Sequence, residues 1–276
     1  MNQSSQVVVI EPNTRWFDLK LKALWEYREL LYFLAWRDLK ARYAQTAVGL
    51  AWALLQPLAM MIIFTVVFSR LANMPSDGVP YPIFAYAALV PWTYFSKSLD
   101  RGGFSVVAES NLITKVYFPR LIVPFSAVLG GLVDFAISFL LLVVMMVWFG
   151  VVPGWQLLAL PVLVCLTVAT AFAVSLWLAA IYVKYRDVGA VIPLLTQLWM
   201  FASPIVYPMS MVPKAWQWLY GLNPMVGIII GYRWALLGTE APDPFLLGQS
   251  VVIVMILFVG GMVYFNRTER TFADVI

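Results

Sequence analysis

From Leu121 to Val183 the sequence carries one charged residue, Asp134. A helix crosses a hydrocarbon layer of about 30 Å in about 20 residues, so this run is too long for one span. Gly150, Pro153 and Gly154 interrupt it, and it reads as a helical hairpin with spans at 121–149 and 156–183. Charge-free blocks between Arg42 and Arg70 and between Asp77 and Lys97 predict further spans at 47–68 and 81–96. Two more follow at 188–207 and 245–265. The expected fold is an all-α integral membrane protein with six transmembrane helices. Apolar blocks of this length exclude a β-barrel, whose strands alternate over about 10 residues.

Charge is scarce, at 12% of residues against roughly 25% in a soluble domain, and its placement carries the topology. Of the eighteen Lys and Arg, the six-span plan puts Arg70, Lys214 and Arg233 on one face and the other fifteen on the face that holds both termini. Cytoplasmic loops retain positive charge, so both termini are predicted to be cytoplasmic. The net charge of +4 is then a topology signal and not a nucleic-acid footprint. The first fourteen residues hold only the apolar run Val7 to Ile10, far short of a signal-peptide core. No cleavage is expected, and the first span would direct insertion.

The chain has no histidine, and its one cysteine, Cys165, lies within an apolar block. Imidazole acid/base chemistry, most transition-metal sites and an intrachain disulfide are therefore not expected. A glycine-rich phosphate loop and a paired-aspartate metal motif are also lacking, which argues against ATP binding in the P-loop manner and against catalysis.

The polar segments are more informative. Residues 15–43 mix charges with Trp16, Leu24, Trp25, Leu31, Leu34 and Trp36 near helical spacing, reading as an amphipathic helix on the inner leaflet or one packed on a partner. In the loop 97–120, Leu112, Ile113, Val116 and Tyr117 would stand on a short cytosolic helix capped by Ser110 or Asn111. Such a face either docks a protein or dips into the bilayer interface. The turn Lys184-Tyr185-Arg186-Asp187-Val188 is too short for a domain. Prolines chop the segment after the fifth span into apolar pieces too short to cross, which read as interfacial or re-entrant helices at 212–238. Within it Gly227 and Gly231 form a small-xxx-small pair. Asp134 is read as roughly halfway along the third span, without a basic partner there, either hydrogen-bonded beside Gly130 and Gly131 or functional. In the first span Trp52, Gln56, Met60, Phe64 and Phe68 recur every four residues. That stripe could stack on sugar rings along a pathway or simply pack, and Pro57 within it should bend the helix.

Several motifs together resemble the permease subunit of ABC-2 type polysaccharide exporters, the O-antigen export family. They are Trp36-Arg37-Asp38-Leu39-Lys40-Ala41-Arg42-Tyr43 with Leu55-Gln56-Pro57-Leu58, Ile113-Thr114-Lys115-Val116-Tyr117-Phe118-Pro119-Arg120, and Tyr185-Arg186-Asp187-Val188. Phe201-Ala202-Ser203-Pro204-Ile205-Val206-Tyr207-Pro208 and Leu222-Asn223-Pro224 follow in the same order.

The resemblance implies an inner-membrane homodimer working with two separate ATPase subunits, which would hold the ATP and Mg. It implies a coupling helix at 109–118, with Glu109, Asn111, Leu112, Ile113, Lys115, Val116 and Tyr117 docking the ATPase and Tyr185, Arg186 and Asp187 as a second contact. It also implies a pathway between the first and fifth spans of the dimer, adding Trp199, Ser203 and Tyr207 to the aromatic stripe. The short helices at 212–238 would guard the exit. The expected cargo is a lipid-linked polysaccharide, with Arg37, Lys40 and Arg42 suited by charge to meet its pyrophosphate. Export of capsule or teichoic-acid glycan or of a small drug would use the same fold. A proton-coupled carrier or channel acting alone fits the sparse intramembrane charge less well, and a membrane transferase is disfavoured by the missing acidic and histidine constellation.

Overall fold

The computed structural model describes residues 25–44, 49–269 and 272. The first part of the predicted amphipathic helix, 15–24, and the start of the first predicted span lie outside these residues. Every regular element among the described residues is a helix. In chain order they are α1 (Arg28–Tyr43), α2 (Gly49–Phe64), α3 (Tyr81–Ala108), α4 (Ser110–Lys115), α5 (Ile122–Leu129), α6 (Leu132–Trp148), α7 (Leu160–Lys184), α8 (Val188–Phe201), α9 (Lys214–Tyr220), α10 (Pro224–Leu237) and α11 (Pro244–Thr268).

Four stretches are long and apolar enough to cross a membrane: Ala51–Leu71, Ile122–Trp148, Trp155–Lys184 and Pro244–Thr268. Two predicted spans look different in the structure. The helix expected to end at Ser96 runs on as α3 for 28 residues, about 42 Å, carrying Lys97, Asp100 and Arg101 inside it. Packing explains the extension. Beyond the charges, Gly102, Gly103, Ser105 and Val106 are buried against α7 and α8, so the helix gains more by continuing than by ending at the first charge. The stretch 188–207 is helical only as α8, 14 residues or about 21 Å, and continues as turns to Tyr207.

α3 is the hub, packed on by α2, α5, α6, α7, α8 and α10. It is buried on nearly every side, which suits its all-round mixture of Ala, Phe, Tyr and Leu. α2 continues through Pro57 to Phe64, and its irregularity comes later, as a π-helix over Thr65–Leu71. The α6–α7 hairpin turns at Gly150, whose φ of +67° suits a residue without a side chain. The small pair on α10 serves two neighbours. A Cβ on Gly227 would meet Ser250 of α11 at 2.4 Å, and one on Gly231 would meet Leu163 of α7 at 2.6 Å.

α3 also approaches α7 closely in the core, where a Cβ on Gly102 would fall 2.5 Å from Ser175 Oγ and 2.6 Å from its Cβ. Gly102→Val is expected to cost about 1–3 kcal/mol through overpacking, measured as a lower unfolding temperature in detergent. Adding Ser175→Gly should restore part of the loss, and equal stability of the single and double variants would place the strain elsewhere.

Candidate functional site

α6 begins after the break at Gly130 and Gly131, and Asp134 stands in its first turn, where a carboxylate is favoured by the helix dipole. Arg42 Nη1 donates to Asp134 Oδ2 at 3.0 Å and Arg101 Nη2 donates to the same oxygen at 2.7 Å. The Tyr43 hydroxyl donates to Oδ1, and Arg42 Nη2 reaches the Gly130 carbonyl at 3.1 Å. The expectation of a carboxylate without basic partners is thus overturned. Its partners lie 92 and 33 residues away, on α1 and α3, a distance that no local pattern reveals. They also place Asp134 level with the end of α1 and not halfway along a span. Burial, and then the hydrogen bond to Asp134, push the Tyr43 phenol up to about 12, so it remains a donor at neutral pH. Burial and the neighbouring Arg101 pull the Arg42 pKa down, yet guanidinium stays charged.

One and a half turns earlier on α1, Arg37 takes hold of a second element. It forms a two-pronged pair with Glu109 and donates to Asp38 at 2.9 Å. The Glu109 hydrogen bond raises the Arg37 pKa, against the opposing effect of burial. Glu109 is the residue on which α4 starts. The pair is partly exposed and is worth about 1 kcal/mol or less, so it positions α4 more than it stabilises the chain. Lys40 is exposed, whereas Arg42 is turned inward onto Asp134. Of the three cations expected to meet a pyrophosphate, two are therefore engaged by carboxylates.

α4 ends at Lys115, and Val116 is extended. Asn111, Lys115, Val116 and Tyr117 are exposed, Tyr117 by 73%, Leu112 is half-buried, and Ile113 faces the core at 5%. The exposed edge available to a partner is thus Asn111 with the residues after α4, and Ile113 anchors the helix from beneath. Tyr185, Arg186 and Asp187 are exposed in the α7–α8 turn. Phe104 of α3 packs edge-on against Tyr182 at 4.9 Å and lies beside Gly189. The end of α3 that leads into α4 therefore sits against that turn, and both polar segments share one end of the bundle.

The stripe on α2 changes character along its length. Trp52 and Gln56 are exposed and Met60 is half-buried, but Phe64 is buried, with its ring edge-on to Phe68 at 5.7 Å. Ile62, Ile63, Val66 and Val67 take the exposed positions there. On α8 the exposed row is Val191, Leu194, Leu195, Leu198 and Phe201. Trp199 instead donates to Asn223 Oδ1 at 2.8 Å, and Asn223 Nδ2 donates to Ser203 Oγ at 2.9 Å. Asn223 also caps α10 by accepting from the Met225 amide. Trp199 and Ser203 thereby join the end of α8 to the start of α10, and the Tyr207 hydroxyl pairs with that of Tyr220.

Arg233, read from sequence as one of three outer basic residues, is an internal anchor. It is 3% exposed and donates to the carbonyls of Phe84, Pro204, Tyr207 and Ile205 at 2.7–3.4 Å. Its guanidinium also lies 3.4 Å from the Phe84 ring centroid. The signal was present in the sequence: a lone arginine within the apolar run Met225 to Leu237 needs an internal partner.

Residues 29–237 match the family model for ABC-2 type transporter membrane domains. The chain belongs to the ABC-2 type transporter family. The match includes α1, the α4 segment, the α7–α8 turn and the Arg233 cage, so the arrangement just described lies within the family domain. Along 93% of its length the chain is 32% identical to the O-antigen export system permease protein RfbA of Myxococcus xanthus, covering 98% of that protein. It is 26% identical to an O-antigen export system permease protein RfbA of Klebsiella pneumoniae, over 90% of this chain and 95% of the relative. It is 23% identical to the polysialic acid transport protein KpsM of Escherichia coli, over 84% and 91%. As an ABC-2 protein with several membrane-crossing helices, the chain is embedded in the membrane.

Asp134 is the common acceptor of this ABC-2 chain's α1, α3 and α6 cluster, and its removal takes the shared carboxylate from Arg42 and Arg101. Asp134→Ala is expected to cost about 3 kcal/mol, read as a lower unfolding temperature in detergent. Asp134→Asn can still accept from Tyr43 and should cost about 1–2 kcal/mol. Equal and negligible losses would mean the two arginines find solvent without it.

Proposed function

We propose that this chain is the membrane-spanning subunit of an ATP-driven exporter that moves a lipid-linked polysaccharide, an O-antigen, from the cytoplasmic to the outer side of the inner membrane. The observation that carries the reading is kinship along almost the whole chain with permeases named for O-antigen export. In this reading six segments cross the membrane, both termini are cytoplasmic, and α1 continues an amphipathic helix on the inner leaflet. Exposed Tyr32, Phe33 and Trp36 opposite buried Leu34 support that placement. Two copies form the pathway, and two separate ATPase subunits hold ATP and Mg.

The same end of the bundle then carries both the docking edge and the lipid-side helix. ATPase closure pushes on Val116, Tyr117 and the Tyr185–Asp187 turn. The motion passes from α4 through Glu109 and Arg37 to α1, and through Arg42 to Asp134 on α6. The glycan slides past Trp52 and Gln56, where an aromatic face holds a sugar ring weakly enough to release it. The apolar rows on α2 and α8, exposed in one copy, supply the surface for a second copy or for lipid. The similarity to a polysialic acid transport protein supports a second reading, export of a capsule-type glycan by the same path.

Deleting the gene in its native cell should abolish the surface polysaccharide and leave its lipid-linked form inside; an unchanged surface glycan would overturn the reading, and loss of capsule with intact O-antigen would favour the second. Docking has its own measurement. Val116→Asp with Tyr117→Asp, both on exposed side chains, should lower glycan export at least about tenfold, as expected when two apolar anchors of an interface are lost. Export at the normal rate would place the ATPase contact elsewhere.

A further inference from the structure

The segment proposed to dock the ATPase has a second attachment, downstream of α4. The chain leaves α4 as an irregular stretch, 116–119, in which Val116 and Tyr117 are exposed and Phe118 is buried. Arg120 follows. Its Nη1 donates to the carbonyl of Glu269, the residue that closes α11, and its guanidinium lies 5.9 Å from the centroid of the Phe272 ring. A cation at that point answers both an unpaired helix carbonyl and the negative end of the helix dipole. Phe272 is fully buried and packs edge-on against Phe265 of α11 at 5.3 Å, so Arg120 grips a fixed surface. As Arg37 ties the start of α4 to α1, Arg120 ties the stretch beyond it to α11.

α11 is itself joined to α7. Trp177 of α7 donates to the Leu257 carbonyl at 3.0 Å and stacks on Tyr264 at 5.0 Å, and a Cβ on Gly261 would fall 3.0 Å from the Ala173 carbonyl oxygen. Helices locked this closely move as one body, and α7 leads into the turn that bears Tyr185, Arg186 and Asp187. Both segments proposed to dock the ATPase thus load the same helix pair. The opposite end of α11 meets a short outer helix. Gln249 donates to the Trp218 carbonyl of α9 at 2.9 Å, and a Cβ on Gly221, which closes α9, would run into the same glutamine. Between the two contacts runs one helix of 25 residues, about 38 Å long, whose single proline stands at its first position. We propose that α11 carries a displacement of the docking segment across the membrane to α9, with Arg120 as the positioning residue that engages it. A stiff element gripped at both ends is what coupling over such a distance requires. The ATPase as the source of the push rests on the proposed export function; the contacts of α11 do not.

The test uses the full chain purified with its ATPase partner in nanodiscs. Cys165, the one cysteine, is changed to Ser, and Lys214, exposed on α9, is changed to Cys to carry a bimane fluorophore. ATP with vanadate should shift the bimane emission. Arg120→Met should shrink that shift at least about fivefold, the low end of a coupling between two sites, while the complex still hydrolyses ATP. Arg120→Lys, which keeps a charged donor for the Glu269 carbonyl, should restore most of the shift. Gln249→Leu breaks the connection at the far end and should also shrink the shift with hydrolysis retained, and it decides alone should Arg120→Met fail to assemble. A full shift in either assembled variant, or no shift in the native complex, would overturn α11 as the carrier and leave the export reading standing. A native chain that takes up no ATPase subunit would overturn the export reading, and with it the push that α11 is proposed to carry.

Discussion

A charge inside an apolar helical bundle must be answered by another polar group, and two such answers organise this chain. At one end Asp134 gathers Arg42, Tyr43 and Arg101. At the other, Arg233 is enclosed by four main-chain carbonyls. Leaving either ion uncompensated would cost several kcal/mol, more than any single aliphatic contact nearby contributes. Both clusters include α3, through Arg101 and the Phe84 carbonyl. The hub helix is therefore fixed at both ends as well as buried along its length, and the remaining helices take their places around it.

That arrangement divides the molecule into a held part and a less held part. α3, α5, α6, α7, α10 and α11 pack on one another in a continuous core. α2 and α8 pack mainly on α3 with α6 or α7 and keep apolar rows exposed. In lipid, such rows bring no hydrophobic penalty, so exposure alone does not drive them together. What limits α8 is its polar end, where Trp199, Ser203 and Asn223 tie it to α10. The family motif around Ser203 and Pro204 thus reads as a joint: its carbonyls hold Arg233 while its hydroxyl meets Asn223.

Much of this was legible in the sequence, and the illegible part has a common cause. Long, almost charge-free runs mark Ile122–Trp148, Trp155–Lys184 and Pro244–Thr268, because a membrane helix satisfies its own backbone and is predominantly apolar. The same rule misplaced the end of α3, since Lys97 and Arg101 look like a boundary until their neighbours are known. Asp134 looked solitary for the same reason, its partners being 92 and 33 residues distant. The aromatic period in α2 was visible, but period cannot say which ring faces the core, and Phe64 does. Pairing across the bundle is a property of topology, and local pattern carries little of it.

α1 joins these themes. Its sequence Trp36-Arg37-Asp38-Leu39-Lys40-Ala41-Arg42-Tyr43 places two arginines five residues apart, about 140° around a helix of 3.6 residues per turn. They cannot serve one partner, and they do not: Arg37 turns to Glu109 at the start of α4, and Arg42 turns to Asp134 at the start of α6. A displacement of α4 would therefore reach α6 through a single rigid turn and a half of helix. The first contact is weak and partly exposed, the second is stronger and more buried. Such an asymmetry sets a limit on that transfer: a large displacement of α4 breaks the Arg37–Glu109 contact before the Asp134 cluster, so α1 keeps its place in the bundle.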